Sequence, residues 1–449
     1  MRLLSVLALV GCGGSSPATA PKAPAQPTVQ RVVMPVVAGP VAALAAPAAV
    51  AAAPVAVVAA PAAPSPYVAD VHSVRFTKNA IAYATPSTTA DRAGVVAAGT
   101  RSRPTDARPA GDGCAARWIA IAPRGWVCED ALAPSAELPT PIPPTALDDD
   151  TAPTLGVYGV VRGAGVVAYA SRDDAASATN GRELGRATSV RAVAKVAIAG
   201  EAYWLTSEGE YIAAASIYQV TASEFQGVAL ADHGLAVAWV HVHDHPGAAA
   251  VLRDEAGAAT GEAGPRSRVA VREVSADGAR VRITDTDWIA RADLRMPSLA
   301  APPAGVGSAD HWMDVDLDEQ VLVAYEGAQP VYATLVSTGR GEHATPSETA
   351  HITTKYRTAD MNNPKQGEAY AVADVPWTMY YDGHFALHTS YWHDGFGDVR
   401  SHGCVNLAPR DARALYGWSS PDVPAGWIAV YGNEASPGSL VRIHGKHGA

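Results

Sequence analysis

The sequence predicts a mainly β protein, made of several small domains strung behind a long extended spacer. Three observations carry this. Three segments about 80 residues apart close on one pattern of aromatic, β-branched and small residues. Trp (10) and Tyr (16) are ample while Phe is scarce (4), which suits small β domains with aromatic anchors. Pro-rich runs punctuate the chain at Pro139–Pro144 and Ala300–Pro303. At 449 residues the chain is too long for one hydrophobic core. A net charge of -10 argues against a nucleic-acid partner, which would need a basic face.

The chain opens with Met1-Arg2, an apolar run from Leu3 to Val10, then Gly11-Cys12. Leu9-Val10-Gly11-Cys12 resembles a bacterial lipobox. The resemblance implies a signal peptide over 1–11, cleavage before Cys12, and lipid chains on Cys12 that hold the protein on a membrane. A plain signal peptide or a mis-chosen start codon is the alternative. The expected location is the cell envelope, on the periplasmic face, with the outer membrane favoured. Residues 12–66 are rich in Pro, Ala and Val, and Pro40, Pro47, Pro54 and Pro61 recur every seven residues. No charge lies between Arg31 and Asp70, but repeated Pro argues against a membrane helix because each one removes a helix hydrogen bond. A disordered, polyproline-like tether is expected. Fifty residues at about 3.1 Å each would reach on the order of 150 Å, enough to carry a lipid-anchored protein out to a cell wall.

The three repeated closings are Trp126–Leu132, Tyr211–Ile217 and Trp288–Leu294. Before the first two lie an earlier aromatic, Trp118 or Trp204, and a turn containing Gly125 or Gly209. The pattern resembles the closing strands of bacterial SH3-like modules, small β-barrels often attached to cell-wall enzymes. Modules are expected over 67–137, 153–221 and 226–298. Three unrelated hairpins of common pattern are the alternative. A last domain is expected over 305–446.

The four cysteines fall as Cys12, the close pair Cys114 and Cys128, and the lone Cys404. That is the arithmetic of an exported chain with one local disulfide and one free thiol. Closing a loop of this size would contribute roughly 3 kcal/mol in the chain-entropy model. Zinc is the rival for Cys114 and Cys128, but no second close pair completes four ligands.

The most informative stretch is Ala386-Leu387-His388-Thr389, followed by Ser401-His402-Gly403-Cys404-Val405-Asn406-Leu407. A thiol is mostly protonated at neutral pH and becomes a nucleophile when a base takes its proton. His388 lies sixteen residues before Cys404, far enough for a loop to return the imidazole to the sulfur. Gly403 permits a sharp turn, and its amide with that of Cys404 is expected to face a developing oxyanion. These residues resemble the signature of the L,D-transpeptidase (YkuD-type) catalytic domain. Other blocks agree in order: Trp312-Met313-Asp314-Val315-Asp316-Leu317, Gln320, Val336-Ser337-Thr338-Gly339 and Thr345-Pro346. The resemblance covers about a third of the chain and implies a β-sandwich or barrel catalytic domain. It also implies Cys404 as nucleophile, His388 as base, and Thr389 orienting His388 through its carbonyl. Amides around His402, Gly403 and Cys404 would form the oxyanion hole, and Ser401 and His402 would shape the site. Two departures stand out. Asn406 replaces an Arg common two places after the cysteine, and Glu348 replaces a Gly after the Thr-Pro pair.

Tyr380, Tyr381 and Trp392 are expected either to line a substrate channel with Asn406 or to pack the core. His384, His388, His393 and His402 with Asp394 and Asp398 fit no familiar zinc signature, and a metal there would occupy the nucleophile. His393 and Asp394 are expected on the loop over the site. His241-Val242-His243-Asp244-His245 resembles a His-x-His-x-Asp-His metal motif but is one residue short. A solvated strand end is the expectation for His241, His243 and His245, with metal binding as the alternative. No metal or organic cofactor is expected. The resemblance implies a peptidoglycan stem peptide as donor, a thioester on Cys404, and an acceptor amine. Water or an envelope-protein lysine are alternative acceptors. A non-catalytic wall-binding lipoprotein is the reading from another class.

Overall fold

The computed structural model describes residues 65–141, 154–185, 188–230, 234–243, 245–363, 370–434 and 436–445. The signal peptide, Cys12, nearly all of the tether and Asp244 lie outside the described residues. The described chain is mainly β; its α-helices are Arg172–Ser177 and Pro409–Trp418.

Each repeated closing is a strand, one turn of 3-10 helix, and a strand. The strands Trp126–Cys128, Tyr211–Ala213 and Trp288–Ala290 lead into the turns Glu129–Ala131, Ala214–Ser216 and Arg291–Asp293. The second position of each closing, Val127, Ile212 or Ile289, is buried. Strand alternation therefore points a β-branched residue inward, and the turn brings the following aliphatic back to the same core. Between Cys114 and Cys128 the Cα atoms are 5.6 Å apart and the sulfurs are bonded.

The last domain is assembled around a long run of hydrogen-bonded strands. His311–Asp316 pairs in parallel with Leu440–His444 and antiparallel with Val321–Glu326. Gln329–Ser337 follows, and its end pairs with Val405–Leu407. Val405–Leu407 lies parallel to Phe385–Thr389, which continues into Tyr370–Asp382 and Thr354–Asn363. The core packs Met313, Val315, Leu322, Leu387, Val405 and Leu407 against Leu415 and Tyr416 of the long helix. Asp411 on that helix is fully buried and accepts hydrogen bonds from Tyr332, Thr334 and the amide of Gly227.

Two features differ from the expected domain boundaries. The strand Trp427–Tyr431 does not end the sheet; Arg92–Val96 of the first module pairs with it. Gly94 allows this, because a Cβ there would lie 2.4 Å from both the Ala429 carbonyl and the Trp427 ring. Val228–Ala229, expected within the third module, instead pairs with Gln329–Ser337, and Leu230 packs with Trp312 and Leu335. The apolar residues of this short segment find their partners in the last domain's core, so it is a strap across that domain.

Candidate active site

Cys404 and His388 are brought together by the parallel pairing of two short strands. The register sets Leu387 opposite Val405 and His388 opposite Asn406. Cys404 therefore sits at the entrance of one strand, beside Ala386 on the other. Its half-buried sulfur lies 3.9 Å from the carbonyl oxygen of His384. Burial pushes the thiol up to about 11, opposed by a hydrogen bond from the Ala386 amide. His388 is buried, and its Nδ1 lies 2.9 Å from the Thr389 carbonyl. A carbonyl only accepts, so Nδ1 carries the hydrogen and Nε2 keeps a lone pair. Burial pushes His388 down to about 4, with the Thr389 carbonyl opposing. The resting pair is therefore a neutral thiol and a neutral imidazole, and no hydrogen bond joins them among the described residues.

The turn that presents Cys404 is fixed from behind. Gly403 has a φ of +117°, and a Cβ there would meet the Phe385 ring at 2.5 Å, so only glycine fits. Thr345 Oγ1 donates to the Gly403 carbonyl at 2.7 Å and accepts from the Gly339 amide at 2.9 Å. Gly339 approaches so closely that a Cβ on it would lie 2.9 Å from Gly403 Cα. Thr338 is held by the buried Gln320, which receives the Thr338 amide and donates to its hydroxyl. The Thr338 carbonyl in turn accepts the amides of Arg400 and Ser401. The scattered sequence blocks thus converge on one support for a single turn.

Residues 310–443 match the YkuD family model, the L,D-transpeptidase catalytic domain. Among solved structures, the chain is similar to an L,D-transpeptidase from Enterococcus faecium, at 22% identity over 30% of this chain and 50% of that one, TM-score 0.25. It is also similar to an L,D-transpeptidase from Mycobacterium smegmatis, at 18% identity over 39% and 82% of the two chains, TM-score 0.26. The chain spans about half the length of the first of these. No curated protein matches it.

Within residues 310–443 the expected site residues take distinct places. Ser401 Oγ accepts from the Gly403 amide at 3.0 Å and donates to the Cys404 carbonyl at 2.5 Å. The Gly403 amide is therefore spent inside the turn, contrary to the expectation that it faces an oxyanion. The Cys404 amide has no partner among the described residues and stays available for that role. The His402 ring packs 4.9 Å from that of His343. Tyr381 is buried, and a bulge between Tyr380 and Asp382 breaks the strand alternation there. Both phenols are raised, chiefly by burial and further by Cys404 when its thiol is ionised. Trp392 lies 5.9 Å from the His388 ring. Asn406 is buried, with its side-chain amide 3.1 Å from His393 Nε2. His393 is pushed down to about 3 by burial and by the cations around it.

Three features escape a reading of the sequence. His241 is not on a solvated strand end: the strand Val237–Val240 stops before it, and it is buried against Asp398 at 2.8 Å. The Glu348 Oε1 and the Tyr381 hydroxyl are buried without hydrogen-bond partners among the described residues, and burial with nearby Asp382 raises the Glu348 carboxyl. Asp411, buried behind the site, carries no motif. Among the described residues no group of three or more His, Cys, Asp or Glu side chains is placed to hold a metal.

Proposed function

We propose that the protein is a peptidoglycan L,D-transpeptidase with Cys404 as its nucleophile and His388 as its base. One observation carries the reading. His388 is locked by its Nδ1 hydrogen bond, so its free Nε2 belongs to a neutral imidazole on the strand paired with that of Cys404. That arrangement suits removal of a proton from a thiol whose own burial keeps it protonated. The sulfur attacks the carbonyl of the diamino-acid residue in a tetrapeptide stem. The C–N bond to the terminal D-alanine breaks, and its amine leaves with the proton held by His388. A thioester on Cys404 remains. An amine of a neighbouring stem then attacks it and restores the thiol, giving a bond between two diamino-acid residues. The Cys404 amide stabilises the oxyanion in both steps. Tyr380, Tyr381, Trp392 and Asn406 line the substrate side.

The three upstream modules are read as SH3-like wall-binding units over 67–137, 153–221 and 226–298, and the catalytic domain as 305–446. Residues 12–66 form a tether from a lipid on Cys12, on the periplasmic face of the envelope. Water as acceptor would make a carboxypeptidase, and an envelope-protein lysine would make a protein-attaching enzyme. Purified full-length protein incubated with a disaccharide tetrapeptide should release D-alanine and form cross-linked dimers. Cys404→Ala should fold with a near-native thermal midpoint and do neither. Turnover by the alanine variant would refute the thiol mechanism, and D-alanine release without dimers would select water.

A further inference from the structure

We propose that the third β module is a working part of the catalytic centre, in which His241 and Arg266 position loop 391–400. This loop joins the strand of His388 to the turn of Cys404, so the proposal rests on the reading of those two residues as base and nucleophile.

The loop carries two residues that reach the site. Trp392 lies beside the His388 ring, and His393 meets the side chain of Asn406, which stands opposite His388 in the paired strands. Where the loop sits therefore determines what packs on the base. The catalytic domain anchors the loop too: Ser337 Oγ donates to the Gly395 carbonyl, the Gly397 and Arg400 amides donate to the Val336 and Thr338 carbonyls, and the Tyr391 hydroxyl lies 3.4 Å from the Ala373 carbonyl.

Further grips come from outside that domain. Arg266 donates both to the carbonyl and to the carboxylate of Asp394, a two-point grasp that fixes orientation as well as distance. Ser223, in the segment between the second and third modules, donates to the other oxygen of the same carboxylate. Arg295 Nε donates to the Gly397 carbonyl at 3.2 Å. His241 Nε2 lies 2.8 Å from Asp398. A carboxylate accepts, so the hydrogen is on Nε2. Within the loop itself, Arg400 holds the second oxygen of Asp398 at 3.3 Å. His241 is also in steric contact, since a Cβ on Gly397 would lie 2.8 Å from its ring.

Packing repeats the pattern. Phe396 is buried in one cluster with Val237 and Trp239 of the third module and Trp312, Val323 and Leu335 of the catalytic domain. Phe225 stacks on it at 6.0 Å. At the loop's start, Tyr391 is held by the second module: its ring lies 4.1 Å from that of Tyr158, and its hydroxyl 3.0 Å from Ser189 Oγ. The loop is thus pinned along its length by groups from outside the catalytic domain. A tethered binding module would have no reason to spend a buried histidine and a two-point arginine on this loop.

His241 and Arg266 are positioning residues; neither touches the reacting atoms. Two measurements on the full-length protein test the role. The first is the saturating single-turnover rate of Cys404 acylation by meropenem, followed by intact mass. The second is hydrogen–deuterium exchange of the amides of 391–401. His241→Ala and Arg266→Gln should each lower the acylation rate about tenfold or more, because small displacements of an active-site group are costly. They should also speed exchange in the loop while leaving the thermal midpoint near that of the parent. His241→Gln, which keeps a donor near the Nε2 position, should recover most of the rate. Parental acylation and parental loop exchange in both variants would overturn the proposal. Arg266 is half-exposed, so its variant decides the matter even if the buried histidine cannot be replaced without unfolding. If the parent protein is not acylated at all, the cysteine reading fails, while the exchange measurement still decides whether the module holds the loop.

Discussion

Alkylation of Cys404 should be slow at neutral pH and rise with pH until about 11. Burial lifts the thiol from its ordinary 9.0 to about 11. At pH 7 that lowers the thiolate fraction about a hundredfold, to roughly one molecule in ten thousand. A more basic thiolate is a better nucleophile, and two units of basicity recover about tenfold. Iodoacetamide, which needs a ready-made thiolate, should therefore react about tenfold slower than with a free cysteine. A transpeptidation substrate or a carbapenem faces no such limit if His388 takes the proton as the bond forms. The two reagents should then separate under His388→Ala. Alkylation should change little, while acylation should fall about a hundredfold or more. The acid limb of acylation should lie near 4, since burial holds His388 neutral down to that value. Mass spectrometry of the Cys404 peptide against pH reads all three. Alkylation that is already fast and levels off near pH 8 would mean a pre-formed thiolate, and the argument for proton removal in the transition state would be refuted.

Native stability should fall by roughly 1.4 kcal/mol per pH unit as pH drops through about 5. Near that pH unfolding lets His388 and His393, held neutral with values of about 4 and 3, take up two protons, while Asp411, raised to about 6, gives one up. Asp411→Asn should roughly double that slope in urea titrations, and an unchanged slope would remove Asp411 from the account. Gly94→Val should destabilise the protein by about 1–3 kcal/mol, because its side chain overlaps the Trp427 ring and the Ala429 carbonyl; a parental urea midpoint would count against the joined sheet. Peptide mapping without reduction should recover Cys114 bonded to Cys128 and Cys404 free, in line with their geometry, and a Cys404 disulfide in active protein would contradict it.

The turn that carries Cys404 was legible because it is local. Ser401, Gly403 and Cys404 form one turn, and the residues that brace it, Gln320, Thr338, Gly339 and Thr345, appear as short blocks in order. The repeated closings were legible for the same reason, each being a strand, a turn and a strand within ten residues. Contacts between distant segments left no such trace. Arg266 and Asp394 are 128 residues apart, and His241 and Asp398 are 157 apart. Nothing near His241 distinguishes a histidine turned inward from one in water. The Gly403 amide misled for a different reason. Ser401 is part of the motif, but only its rotamer decides that its oxygen captures that amide.

The sheet junction changes what counts as a domain here. By sequence, the linker at Ala300–Pro303 marks where the last domain begins. By hydrogen bonding, that domain already includes strands from upstream: Val228–Ala229 along Gln329–Ser337, and Arg92–Val96 along Trp427–Tyr431. Without Arg92–Val96, the strand Trp427–Tyr431 would present an unpaired edge, which invites pairing with other chains. Trp427, now 1% exposed in a cluster with Val74, Phe76 and Val127, would lose that cover. Loop 391–400 would lose Arg266, His241 and Tyr158 as well. A chain cut at the linker would therefore keep every residue of the motif and lose much of what holds Trp392 and His393 in place. The upstream modules complete the sheet and hold the loop, whatever they also bind.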